Sequence, residues 1–272
     1  MKKIILFIFL LTSLLFGQSV YFDGDDTAKE AVANYRSSDT IGSFVAWVYF
    51  ETLNAPATYY VFFGSGDEGS ANYNFYIYAR YEADTNHYLA VVSEVAGNSD
   101  GVRGSTALQT GQWYHIVVTT TDSEWKLYVD GSLDNLTVFS GSNTGEWFGD
   151  VINRDNLTFG YGLQNAILAD ELIGYIDEIG LFSDSLSATD VTTYYNSGTC
   201  AYDLTNETNL VGYWKMNEGT GTTLTDAVSG TVVLDFAAST NDPSWSLAQP
   251  FDSTLYYVDA DKGDDTYVDS LA

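Results

Sequence analysis

Three carboxylates stand within four residues at Asp23, Asp25 and Asp26, around Gly24. Carboxylate oxygens are the hard ligands that calcium takes, and three together repel one another unless a cation or solvent separates them. In an extended chain Asp23 and Asp25 share one side and Asp26 faces the other, so a turn at Gly24 is needed to converge them. The competing reading is a solvated acidic loop. A second pair, Asp177-Glu178, interrupts the apolar run from Leu172 to Phe182. Strict alternation puts Ile173, Tyr175, Asp177, Ile179 and Leu181 on one face and Leu172, Ile176, Glu178 and Phe182 on the other. Both faces are apolar, so at least one carboxylate approaches the interior, where it needs a partner or becomes neutral. Asp177 is therefore a candidate ligand of a structural calcium, with a hydrogen-bonded structural aspartate as the alternative. Asp226, in TLTDAVSG, is a weaker further contributor.

Other chemistries find less support. A retaining glycosidase needs two carboxyl groups roughly 5–5.5 Å apart, on a strand i and i+2 or i+4. Glu171 lies too far before Asp177, and Asp177 and Glu178 point oppositely, so no catalytic residue is assigned. His115, in WYHIVVT, reads as a core residue, and His87 reads as a loop residue with no nucleophile nearby. A single cysteine, Cys200, excludes an intrachain disulfide and a thiol-rich metal site. Pyranose faces stack on aromatic rings, and Tyr59, Tyr60, Tyr73, Trp147 and Tyr161 fall in loop-like stretches that could form such a platform. Core packing is the competing role for each.

These residues sit in a chain of 272 with 10 basic and 37 acidic residues, a net charge of -27. That balance excludes nucleic acid as a partner, since phosphate binding needs a basic patch. With 45% hydrophobic residues, 21 Tyr and 6 Trp, the chain is too apolar to be an acidic disordered tail. Met1-Lys2-Lys3, the apolar run Ile4 to Phe16, and the small residues Gly17 and Ser19 read as a secretory signal peptide over residues 1–19. It is too short for a spanning helix, so no membrane span is expected in the mature chain. Secretion follows, into surroundings where an acidic excess suits millimolar calcium. The sequons at Asn135, Asn156 and Asn206 matter only in a eukaryotic pathway, and a bacterial source is expected.

The elements that must position these side chains are strands. FVAWVYF (44–50), NFYIYAR (74–80), YLAVVSE (88–94), WYHIVVTTT (113–121), WKLYVDG (125–131), NLTFGYG (156–162) and LIGYIDEIGLF (172–182) are rich in β-branched and aromatic residues, with turn residues between them. Asp130-Gly131 predicts a hairpin turn. One helix is predicted within 185–198, with a Ser187/Asp190 capping box, an apolar face of Val191, Tyr194 and Tyr195, and a stop at Gly198.

YFDGDD (21–26), FVAWVYF, GQWYHIVVTTTDSEWKLYVDGSL (111–133) and GYIDEIGLFSDSLSATDVTTYYNSG (174–198) come in the order of a laminin-G-like domain. Over roughly residues 20–200 the chain resembles the laminin-G-like, concanavalin A-type jelly-roll superfamily. The resemblance implies an all-β fold, a two-sheet antiparallel jelly-roll β-sandwich with one short rim helix. It also implies that the Asp23–Asp26 loop lies near the metal site of some members, and it leaves function open among lectins, glycanases, adhesion modules and spacers. LVGYWKMNEGTGTTLTDAVSG (210–230) resembles a stretch that normally opens such a domain. With too few residues after it for a second sandwich, it is expected to add terminal strands to the same one, giving a domain over 20–252. YYVDADKGDD, in the 253–272 tail, resembles the opening of a right-handed parallel β-helix domain, as if a next domain were cut short. The expected protein is a secreted non-catalytic module that binds a polysaccharide or a cell-surface glycan or protein, with a structural calcium. The alternative is an accessory domain of a polysaccharide-degrading enzyme.

Overall fold

The β-branched and aromatic runs pair into two antiparallel sheets in the computed structural model, which describes residues 18–53, 59–164, 167–169, 171–198, 202–236 and 242–250. The chain opens with β1 (Ser19–Asp23), β2 (Ala28–Glu30), β3 (Gly42–Phe50), β4 (Tyr60–Asp67) and β5 (Ser70–Tyr81). There follow β6 (His87–Val95), β7 (Asn98–Leu108), β8 (Trp113–Thr120), β9 (Trp125–Val129), β10 (Ser132–Leu133) and β11 (Thr137–Ser140). Next come β12 (Leu157–Phe159), the hairpin β13 (Gly162–Gln164) and β14 (Ile167–Ala169), then β15 (Ile173–Phe182) and the helix α1 (Ala188–Tyr195). The last strands are β16 (Leu210–Trp214), β17 (Thr223–Thr225), β18 (Val233–Phe236) and β19 (Ser244–Ser246).

The first sheet runs β10-β9-β8-β3-β15-β1-β19, with β16 also paired to β15. The second runs β11-β7-β6-β5-β4-β12-β2-β18-β17. Residues 210–246 thus lend β16 and β19 to the first sheet and β17 and β18 to the second. Alternation sends one face of each strand into the space between the sheets. Phe44, Ala46, Val48 and Phe50 of β3 meet Phe62, Phe63, Phe75, Ile77 and Val91 of the opposite sheet there, in one continuous core.

Local signals in the sequence are realised locally. Asp130 and Gly131 both have positive φ (50° and 74°), the geometry that joins β9 to β10 with the strands' own twist. Ser187 caps α1, its hydroxyl accepting from the Asp190 N–H while the Asp190 carboxylate accepts from the Ser187 N–H. Val191 and Tyr194 press the helix onto the outer face of the first sheet, against Val45, Val117, Tyr128 and Phe182. The helix stops at Asn196, in the left-handed region, before the expected Gly198.

Two expectations need correction. The strict alternation read for β15 fails because the strand bulges: its pairing with β3 shifts between Asp177 and Gly180, and Glu178 has φ 53°. The extra residue moves the phase by one, so Ile176, Ile179 and Leu181 face the core while Asp177 and Glu178 both turn to the outer face. His87 is not in a loop. A tight turn over residues 82–86 closes the β5–β6 hairpin, and His87 is the buried first residue of β6. Ser19 is the first residue of β1, buried, with its hydroxyl donating to the Ala248 carbonyl at 2.7 Å. The leader, Cys200 and the β-helix-like tail lie outside the described residues.

Candidate functional site

The turn at Gly24 (φ 98°) that the acidic run requires is present at the end of β1. It brings carboxylate oxygens of Asp23, Asp25 and Asp26 within 4.8 Å of one another. Backbone bonds hold the shape: the Asp23 N–H donates to Asp26 Oδ2 at 2.7 Å, and the Asp25 N–H to Asp23 Oδ1 at 3.3 Å. Asp23 and Asp25 are exposed and Asp26 is buried. Burial, with the charges of Asp23 and Asp25, pushes the Asp26 carboxyl up to about 6. Three oxygens gathered at that cost form a donor set of the kind a hard divalent cation would relieve.

The other two candidate ligands do not join them. Asp226 is buried and fully engaged: it accepts from the backbone N–H groups of Tyr213, Val228 and Ser229 and from the Ser229 hydroxyl. It organises the turn before β18, which removes it from the ligand set. Asp177 is buried on the outer face of the first sheet beside its cross-strand neighbour Trp47, which in turn opposes His115. Its Oδ1 has no hydrogen-bond partner among the described residues. Burial first, and then the charge of Glu178, raise its pKa well above the ordinary aspartate value, which a hydrogen bond from the Glu178 N–H only partly offsets. His115 is also buried, and it is neutral, pushed down to about 3 by desolvation.

The expected aromatic platform also divides. Tyr60, Trp147 and Tyr161 are 1% exposed and have no free face for a sugar. Trp147 does lie in an irregular segment, but its indole packs against Phe75 and Phe148 and plugs the sandwich. Tyr73 is half-buried against the same core. Tyr59 alone reaches an outer face.

That face belongs to the second sheet. On β5 the outward side chains are Asn74, Tyr76, Tyr78 and Arg80; on β6 they are Tyr88, Ala90, Val92 and Glu94; on β7, Arg103. The register sets Tyr78 beside Ala90 and Ala90 beside Arg103, with Arg80 beside Tyr88. Phe139 of β11 folds back over Gly101, where a Cβ would lie 2.4 Å from its ring. Val61, Tyr78 and Ala90 form an apolar floor, and half-exposed Tyr59, Tyr76, Val92 and Phe139 pack against it. Arg80 lies over the Phe139 ring at 3.9 Å and the Tyr59 ring at 5.2 Å, and Arg103 over Tyr88 at 4.6 Å. Both arginines reach one carboxylate: Glu82 Oε1 is 2.8 Å from Arg80 Nε and 3.2 Å from Arg103 Nε. Rings and fixed donors side by side are the parts of a polar-ligand site. The sequence did carry a signal for it: in NFYIYAR every second residue from Tyr76 is an aromatic or a cation, the pattern of an outer face that carries rings and charge together.

A second row of rings crosses the first sheet. Tyr21, Tyr175, Tyr49 and Trp113 are direct cross-strand neighbours on β1, β15, β3 and β8, all half-exposed, with centroids 4.8, 5.3 and 5.7 Å apart in turn.

Residues 19–192 match the family model described as the concanavalin A-like lectin/glucanases superfamily. No curated protein matches the sequence. Among solved structures, a candidate carbohydrate-binding protein from Bacteroides ovatus superposes with a TM-score of 0.56 at 15% identity. The match covers 85% of this chain and 60% of that one. The CBM40 of the Ruminococcus gnavus IT-sialidase, bound to α2,3-sialyllactose, superposes with a TM-score of 0.52 at 14% identity over 65% of this chain and 96% of its own. The NanB sialidase of Streptococcus pneumoniae gives 0.51 at 17% identity, over 65% of this chain and 27% of that one. At such identities the likeness is one of fold: a two-sheet jelly-roll sandwich.

Proposed function

The chain belongs to the concanavalin A-like lectin/glucanase superfamily, and on that premise we propose that it is a secreted, non-catalytic module that binds carbohydrate. It would serve as an attachment unit of a larger extracellular protein. The observation that carries the reading is the outer face of the second sheet, where half-exposed Tyr59, Tyr76 and Phe139 lie beside two arginines, each about a fifth exposed, with buried Tyr88 beneath Arg103. Rings of this kind offer faces for the C–H side of a pyranose, while fixed donors select among hydroxyl or acidic substituents. The likeness of fold to the sialyllactose-bound CBM40 supports the same reading.

We further assign a structural calcium to Asp23, Asp25 and Asp26. Its support is the convergence of their oxygens within 4.8 Å and the cost that convergence imposes on the buried Asp26. A bound cation would supply countercharge and fix the turn after β1.

The test is a glycan array on the whole chain, in calcium and again in chelator, with a Tyr76→Ala variant alongside. Saturable binding that Tyr76→Ala abolishes is expected. Silence from a folded sample in both conditions would overturn the glycan reading and direct the search to protein partners.

A further inference from the structure

The seven described basic residues are not distributed evenly among acids. Lys29, Arg36, Lys126 and Lys215 each have a carboxylate of their own, in Glu68, Asp39, Glu124 and Asp203. Arg154 is buried and spends its donors on the carbonyls of Tyr35, Phe148 and Val151 and on the Ser65 hydroxyl. Arg80 and Arg103 instead share a single ion-pair partner, Glu82. They come from strands two apart and are drawn together by the register through β6.

Each guanidinium is held by its Nε and one Nη. Arg80 uses Nε on Glu82 and Nη1 on the hydroxyls of Tyr59 and Tyr78, both at 3.4 Å. Arg103 uses Nε on Glu82 and Nη1 on the Gly104 carbonyl at 2.8 Å. For Nη2 of either arginine no hydrogen-bond partner is present among the described residues. The planes are fixed as well, against Phe139 and Tyr88. The next carboxylate along, Asp84, accepts from the Tyr88 hydroxyl at 2.5 Å and from the Asn86 N–H. Two oriented guanidiniums that keep spare donors, each about a fifth exposed in a chain of charge -27, make a receptor for an oxygen pair of opposite charge.

Resting on the glycan-binding reading above, we propose that the ligand is an acidic sugar, a pyranose bearing a carboxylate, and that Arg80 and Arg103 together bind that carboxylate while Tyr76 and Tyr59 contact the ring. A uronic acid and a sialic acid share this chemistry and differ in where the carboxylate hangs.

The experiment is calorimetric titration of the whole chain with oligogalacturonate, with its carboxyl-reduced neutral counterpart, and with sialyllactose. Physiological salt is used, where the chain's long-range repulsion of a polyanion is screened beyond about 8 Å. At least one acidic sugar is expected to bind, the galacturonate arm or the sialyllactose arm identifying its source. Reduction of the carboxylate, or Arg103→Gln, should each weaken binding about tenfold or more. Arg103→Lys keeps the charge but not the fork, and should still lose several-fold; this variant carries the test if Arg103→Gln does not fold. Equal affinity for the acidic and reduced oligomers, or an Arg103→Lys variant that binds unchanged, would overturn the acidic-sugar assignment and leave glycan binding standing. Absence of binding to all three, with a silent glycan array, would overturn both.

Discussion

Two buried aspartates make opposite predictions. Asp226 accepts four hydrogen bonds, three of them from backbone N–H groups. Asp226→Ala would leave those donors without an acceptor and should cost about 1–3 kcal/mol in urea unfolding. Asp177 instead carries an oxygen without a partner among the described residues, and burial raises its pKa well above the ordinary value. Its folded pKa lies above its unfolded one, so its contribution to stability is whole in acid and falls away as pH rises through the folded value. Asp177→Asn removes that ionisation, and the variant should match the parent's melting temperature near pH 3 and exceed it by a growing margin as the pH is raised to 7. Equal melting curves at both pH values would show that Asp177 titrates normally. The need of Asp177 for a partner or for a proton was legible in the sequence, from the apolar run around it, whereas Asp226 read only as a further carboxylate; what separates them is the number of N–H groups that the fold aims at each.

At the scale of elements, what was legible is what is decided within a few residues. The strand runs, the Asp130-Gly131 turn and the Ser187/Asp190 box all depend on neighbours in the chain, and the structure shows each of them. Ser187→Ala should therefore cost about 1 kcal/mol, measured as a shift in chemical denaturation, because the Asp190 N–H loses its acceptor. The bulge in β15 was not legible. Both faces of LIGYIDEIGLF are apolar, so no hydrophobic pattern fixes the phase, and a single left-handed residue, Glu178, resets it. The aromatic candidates failed for a related reason. Trp147 and Tyr161 lie in irregular chain, which ordinarily means surface, yet both are drawn under the sandwich by the tertiary fold. The Arg80–Arg103 pair was hidden because it depends on the register of three strands, which no local window contains.

The whole molecule couples its acidity to its stability. Asp26 is pushed up to about 6 and Glu178 to about 7, and Asp177 is raised with them, against ordinary values of 3.8 and 4.5. Each binds its proton more tightly when folded, so without a cation the melting temperature should fall as pH rises from about 4 to 7. Calcium takes ionised carboxylates, so the gap in melting temperature between calcium and chelator should widen from pH 5 to pH 7.5. A gap of zero at both would remove the metal from Asp23, Asp25 and Asp26. The placement of the first and last described strands matters in another way. Ser19 of β1 pairs with Ser246 of β19 in antiparallel register, and the three-residue β19 is the last strand of its sheet. Points so close in space allow the sandwich to be spliced into a loop of a host protein with little strain on the join. They also set its mechanics: tension applied between Ser19 and Ser246 acts across the strands and would peel β19 away one rung at a time, so that under flow a tether would yield at this seam before the packed interior felt the load.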